Sequence, residues 1–483
     1  MGPFMLRTVA DQPTLWEAIL PEELRRLPEE LARVDALLDD PVFFTSFVPF
    51  FDPRIGRPST PMETYLRLMF LKFRYRLGFE SLCREVSDSI TWRQFCRIGI
   101  DQPVPHPTTL MKLAVRCGSA AVEGLNEALL AKAAEAKVLR CSRVRVDTTV
   151  VPSNVSYPTD SALLAKAVNR IAATGRRIRA AGGAVRTKLR DRCRAAGRRA
   201  HDLNAKLRTR SAAAKEEALE LVRRKNRELA DLAETAANEA EGLLRNAKRA
   251  LRKARADAGT EKADGRHDPA AGRRRGRLAR AVNDLAELVE ATRRIVEQTR
   301  QRLAGTTPDG ATRRVSLHDP DAHPIRKGRL GKPVEFGHKA QVCDNEDGIV
   351  IDYDVQPGNP PDAPRLKPAV DRVIKRTGRK PRTVTADRGY GEAAVEDELH
   401  ELGIRNVVIP RRGRSSKARQ DVERGRAFRR TVKWRTGCEG RISHLKRNYG
   451  WDRSMIDSTE GARIWTGHGV LAHNLAKIAV LTA

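Results

Sequence analysis

Between residues 161 and 310 the chain has no Phe, Tyr or Trp, and it carries 37 Lys/Arg against 19 Asp/Glu. Ala, Leu, Arg, Lys and Glu dominate the segment, which is the composition of long helices rather than of a globule with a large core. Two or more long helices folded into an antiparallel hairpin are expected, with breaks at Gly182-Gly183 and across Asp257–Gly272, where Gly259, Gly265 and Pro269 fall. The flanks are patterned differently, so the segment reads as a coiled-coil-like insertion that protrudes or packs on a partner. The plainer alternative is a solvated, partly disordered arm.

The whole chain has 483 residues, enough for two to four domains, with 91 Lys/Arg against 61 Asp/Glu and a net charge of +30. That surplus favours a polyanionic partner, most commonly nucleic acid, over a small neutral substrate. With 40% hydrophobic residues and ordered patterns up to its C-terminus, the chain does not read as a histone-like tail protein. No run of 18 apolar residues suggests a membrane span, and no basic stretch leads into an apolar one at the N-terminus, so neither membrane association nor a secretory leader is expected. The seven cysteines are never spaced C-x-x-C, which reads as reduced thiols in the cytoplasm rather than a zinc site or disulfide frame. His318 and His323 come nearest to a histidine metal cluster but lack a third ligand at suitable spacing.

The first 135 residues read as helical. Helices are expected over Met62–Leu77, Glu80–Val86 and Thr91–Ile98, and another capped by Thr108 and running to about Val115. Short helices with tight breaks and basic faces suit a helix-turn-helix-like DNA-binding unit or, equally, a dimerisation module. At Val144–Val151 the period changes to two, the pattern of a strand, with Asp147 at its middle. Beyond the insertion, Pro333–Asn345 and Ile349–Val355 form an expected hairpin about Glu346-Asp347-Gly348. A helix (Pro364–Thr377), a short strand ending at Asp387, a second helix (Glu392–Leu402), a strand (Asn406–Pro410) and further helices carrying Glu439 follow.

With the insertion excised after the first strand, this is the element order of an RNase H-like α/β fold. Its first and fourth strands are neighbours at the sheet centre, so Asp147 and Asp387 would face each other, and a carboxylate on a later helix could close the set. Such a trio suits phosphodiester cleavage, which needs a nucleophilic oxygen activated and a leaving oxygen stabilised. Two Mg²⁺ ions about 3.5–4 Å apart do both, and Mg²⁺ takes oxygen ligands. Arg435, Glu439 and Lys446 lie at i, i+4 and i+11, about 20° off one helical stripe. The stripe reads as a metal ligand between phosphate-binding cations or, equally, as ordinary surface ion pairs. Gly437 and Gly440 either weaken this helix, let a backbone come close, or mark an irregular start.

Val-Asp147-Thr-Thr, Ala-Asp387-Arg-Gly-Tyr390 and Trp-Arg435-Thr-Gly-Cys-Glu439 with Lys446 resemble the three blocks of bacterial insertion-sequence transposases with a DDE triad. The third block has the spacing Arg, three residues, Glu, six residues, Lys; where the family has a Tyr ahead of the Arg, this chain has Val432. Ser59-Thr60-Pro61 through Ile98 resembles the superfamily's helical amino-terminal domain. The resemblance covers about 1–158 and 313–483. It implies residues 1–135 as a helical DNA-binding or dimerisation domain, 136–160 and 313–483 as the RNase H-like catalytic domain, and 161–312 as the basic insertion. It implies Asp147, Asp387 and Glu439 as catalytic metal ligands for two Mg²⁺, with Mn²⁺ able to substitute. Arg435 and Lys446 become transposon-end contacts, with Arg388, Arg441 and Lys339 as further DNA-binding candidates. The expected protein is a cytoplasmic, nucleoid-associated bacterial homodimer acting on double-stranded DNA. The competing readings are a metal nuclease that cuts without joining and a non-catalytic basic DNA-binding protein.

Overall fold

A computed structural model describes residues 4–7, 21–206, 215–263, 268–327 and 333–482. The chain divides into two compact units, Met1–Asn154 with Ile325–Ala483, and Val155–Pro324.

The first unit begins with helices α1 (Glu29–Leu38), α2 (Met62–Arg74), α3 (Phe79–Asp88), α4 (Ile90–Phe95) and α5 (Pro107–Glu135). α5 corrects the sequence reading at its cap: His106 caps it, its ring accepting from the Thr108 amide. Gly118 (φ 68°, ψ −174°) is non-helical and divides α5 into two helices, so the expected end near Val115 falls close to this break; the second helix runs to Glu135 and buries Leu125, Leu129 and Leu130. Strand β1 (Arg143–Pro152) follows.

The second unit consists mainly of helices α6 (Asp160–Ala180), α7 (Cys193–Lys206), α8 (Lys215–Ala263) and α9 (Pro269–Leu303). The sequence breaks at Gly182-Gly183 and near Pro269 are seen, but α8 runs straight through Gly259, so the second break is shorter than expected; Gly265 lies outside the described residues. The expectation that the segment is too poor in large side chains to build a core also needs correction. Ala230, Ala233, Ala237, Ala240 and Ala247 of α8 are fully buried with Leu229, Leu243, Leu285 and Ile295. Alanine lets helix backbones approach closely, so an aliphatic seam replaces aromatic bulk.

The first unit resumes with β2 (His323–Arg326), β3 (Val334–Asn345), β4 (Val350–Gln356), α10 (Leu366–Thr377), β5 (Thr383–Ala386), α11 (Ala393–Glu401), β6 (Asn406–Val408), α12 (Lys417–Arg424), α13 (Arg426–Asn448) and α14 (Ser458–Leu481). The sheet order is β2-β3-β1-β5-β6, with β4 also paired to β3. β1 is antiparallel to β3, while β5 and β6 run parallel to it. This mixed sheet, with β1 between the β3–β4 hairpin and β5, is the RNase H-like arrangement. Gly348 at the β3–β4 turn adopts φ 79°, the left-handed region that glycine enters at no steric cost. One apolar core runs from Phe43, Phe47 and Phe70 of the N-terminal part through Tyr390 to Trp451 and Leu475. No helix among the described residues is long and apolar enough to cross a membrane.

Candidate active site

β1 and β5 pair in register from Arg143↔Thr383 to Val146↔Ala386. One residue further along each strand stand Asp147 and Asp387. Neighbouring strands lie about 4.8 Å apart, and equivalent positions of parallel strands share a face, so the two carboxylates emerge side by side. Asp147 is 7% exposed. Its Oδ1 accepts from the Thr148 amide at 2.8 Å and its Oδ2 from Arg435 Nη1 at 3.2 Å. Asp387 accepts from the Gly389 amide at 2.9 Å, capping the turn Arg388–Tyr390.

Glu439 lies on α13, which is continuous through Gly437 and Gly440, so neither glycine marks a helix start. Its side chain is 62% exposed and accepts from Arg435 Nη2 at 3.0 Å. One guanidinium therefore bridges Asp147 and Glu439. Among the described residues no three His, Cys, Asp or Glu side chains already converge as a metal cage. A side-chain cation, Arg435, occupies the gap between two members of the set.

Burial pushes the Asp147 carboxyl up to about 6, and the neighbouring Asp387 charge adds to it against the Thr148 amide and Arg435. Burial also raises Asp387, with the Asp362 charge adding and the Gly389 amide, Arg435 and Lys339 opposing. Adjacent carboxylates that repel each other in a desolvated cleft fit a hard divalent cation, which relieves the repulsion through oxygen ligands alone. Asp147 and Asp387 suit such an ion, whereas Glu439 is held away from them by Arg435.

Three residues that the sequence reading passed over organise the site. Asp362 forms an ion pair with Lys339 at 2.8 Å. A Cβ added at Gly389 would lie 3.0 Å from Asp387 Oδ1 and 3.3 Å from Asp362 Oδ2, so the glycine leaves these two acids close together. Asp344, fully buried on β3, accepts from Arg145 Nε at 2.7 Å and Nη2 at 2.8 Å, and from Arg441 Nε at 3.4 Å. Arg145 also donates to the Trp434 carbonyl at 3.0 Å and sits 4.7 Å from the Trp434 ring centre. Its guanidinium fills the space a Cβ at Gly437 would take. Gly437 thus opens α13 to β1, and the Arg145–Asp344–Arg441 cluster pins the helix bearing Glu439 to the strand bearing Asp147. An arginine two residues before Asp147 and a glycine two before Glu439 were the available signals.

Arg388 donates to the Arg411 carbonyl at 3.0 Å and is exposed. Lys446 is half-buried on α13. Lys339 also donates to the Pro360 carbonyl at 2.8 Å, and both it and Arg441 are largely buried in their ion pairs.

Two family models match the chain: a transposase domain (DUF772) over residues 20–116 and a transposase DDE domain over residues 310–475. Asp147 falls outside both matches, whereas Asp387 and Glu439 fall within the second. An uncharacterized protein of Rhizobium meliloti, ORF8 of the nfe locus, is 28% identical over 149 residues, 30% of this chain and 71% of that protein. No solved structure matches. With one transposase domain in the helical part and another across the sheet and its helices, the chain belongs to the insertion-sequence DDE transposases.

Proposed function

We propose that the protein binds the ends of its own insertion sequence and moves them by phosphodiester hydrolysis and strand transfer through Asp147, Asp387 and Glu439. The observation that carries this reading is the parallel register that brings residues 147 and 387 abreast, with Glu439 one guanidinium away. Two Mg²⁺ ions, with Mn²⁺ able to substitute, suit the all-oxygen donor set and would supply charge neutralisation and activation of the attacking oxygen.

The protein's own part is positioning. Asp147 and Asp387 hold the cation site on two strands whose hydrogen bonds fix their separation. Arg435 is held ready between two carboxylates; a DNA phosphate competes for its fork, and its departure frees Glu439 to join the acids. Lys446, on the same stripe, and exposed Arg388 extend the phosphate contacts along this face. Hydrolysis breaks a P–O bond at the element's end and leaves a 3′-OH; that hydroxyl then attacks a target phosphodiester in line. The N-terminal helices act in DNA binding or dimerisation, because two ends must be handled together, and the +18 arm over 161–310 adds DNA or subunit contacts.

The test is Asp147→Asn combined with Asp387→Asn on labelled DNA carrying the element's ends. Loss of Mg²⁺-dependent cleavage with DNA binding retained is expected; cleavage at the parent rate would sink the triad. Cleavage without joined products in the parent would select the nuclease reading instead.

A further inference from the structure

Lys72 of α2 is an anomaly that the active site does not use. The residue is 3% exposed. Its ammonium lies 4.5 Å from the ring centre of Phe73, 4.7 Å from that of Phe79 and 4.0 Å from that of Trp465. Among the described residues it has no carboxylate partner and no hydrogen-bond acceptor. Ring faces recover part of the hydration a desolvated cation loses, but they do not satisfy its N–H groups. Burial accordingly lowers the amine to about 7.

Lys72 and its three rings line a cavity of about 1040 Å³ within the first unit. The lining holds four basic side chains and three acidic ones, so with Lys72 protonated it is basic by a single charge. Its preference for an anion therefore rests on the buried amine and on Arg453, whose exposed side chain also has no partner among the described residues. Arg76, by contrast, is already paired with Asp452 at 2.6 Å. The exposed apolar side chains Val115 and Met455 are also part of the lining. An inorganic anion would leave that apolar wall wet. A nucleotide unit of a DNA strand covers it with sugar and base while bringing a phosphate to the amine.

Resting on the transposase reading, we propose that this cavity is a DNA-strand subsite in which Lys72 receives a backbone phosphate and the apolar wall carries the adjoining nucleotide. The rings hold three sides of the ammonium, and the cavity is left for the anion.

The test is metal-free binding of labelled single-stranded and duplex DNA across a salt series, so that active-site chemistry is not read. Lys72→Met keeps the apolar stem and removes an unpaired buried charge. It is expected to weaken DNA binding about tenfold and to flatten the salt slope by about one, while raising the Tm. Val115→Glu, at an exposed position on the wall, weakens binding in the same direction without a core change. Parent-like affinity and slope in both variants overturn the subsite and leave the transposase reading standing. Failure of the parent to bind DNA overturns both. Quenching of Trp465 by inorganic phosphate alone, with DNA binding unchanged in Lys72→Met, assigns the cavity to free anions and overturns the proposal.

Discussion

The two units solve the packing problem by opposite means. The sheet-bearing unit is filled by large side chains, among them Trp451, Tyr390 and Phe70. The arm is sealed by Ala233, Ala237 and Ala240 between Leu and Val. A core of large shapes fixes strand and helix positions closely, which a site made from three distant carboxylates requires. A core of alanines brings long helices together while leaving their outer faces to charge. On the function proposed above, the first unit would supply position and the second charge.

The largest expected effect separates these roles. Asp387→Asn should lower Mg²⁺-dependent cleavage about 1,000-fold or more with DNA affinity intact, whereas removing 161–312 through a short linker should weaken DNA affinity or dimerisation and spare the chemistry. Cleavage rates beside binding isotherms check both; an arm deletion that leaves affinity and oligomeric state unchanged breaks the division. The cores themselves should respond with opposite sensitivities. Trp451→Ala should cost about 3–5 kcal/mol by opening a void, and Ala240→Leu about 1–3 kcal/mol by overfilling the seam, both read from denaturant midpoints.

A third prediction concerns pH. The folded metal-free protein holds the Asp147 proton up to about 6, against a usual value near 3.8. The resulting stabilisation is full below about pH 4 and is lost as pH rises through about 6. Near pH 8 metal-free Asp147→Asn should therefore exceed the parent in stability by about 2–3 kcal/mol, less whatever the Arg435 ion pair contributes, and the gap should close near pH 4. Equal Tm values at both pH extremes would contradict the strained-acid account. The smallest effect tests the Arg145 cluster. Helix propensity alone makes Gly437→Ala stabilising by about 1 kcal/mol, yet the Arg145 guanidinium occupies the added methyl's place, so a loss of about 1–3 kcal/mol with a lowered kcat is expected. A stabilised variant with parent activity would show that the close approach is unimportant.

Strand periodicity and element order disclosed the sheet because β1, β3 and β5 each bury alternating or fully apolar runs that sequence displays directly. Asp147 and Asp387 were legible for the same reason: each sits at a definable point on a strand. The pairing of Arg145 with Asp344 was not, since nothing local in either residue names a partner about two hundred positions away. Nor was the fresh helix that starts beyond Gly118, which is held by Leu125, Leu129 and Leu130 in the core. The arm's core escaped notice because alanine contributes by closeness, which composition does not reveal.

The arm enters the chain after Asn154, and β1 pairs through Pro152 with Gly337 of β3. During synthesis β1 therefore leaves the ribosome long before its partner strand exists. At about 5–20 residues per second it waits on the order of ten seconds or more, as a bare edge rich in valine. A helical arm made from local contacts can form within that interval. Because β3 and β5 follow the arm in the chain, the sheet is completed only after the whole arm has been made.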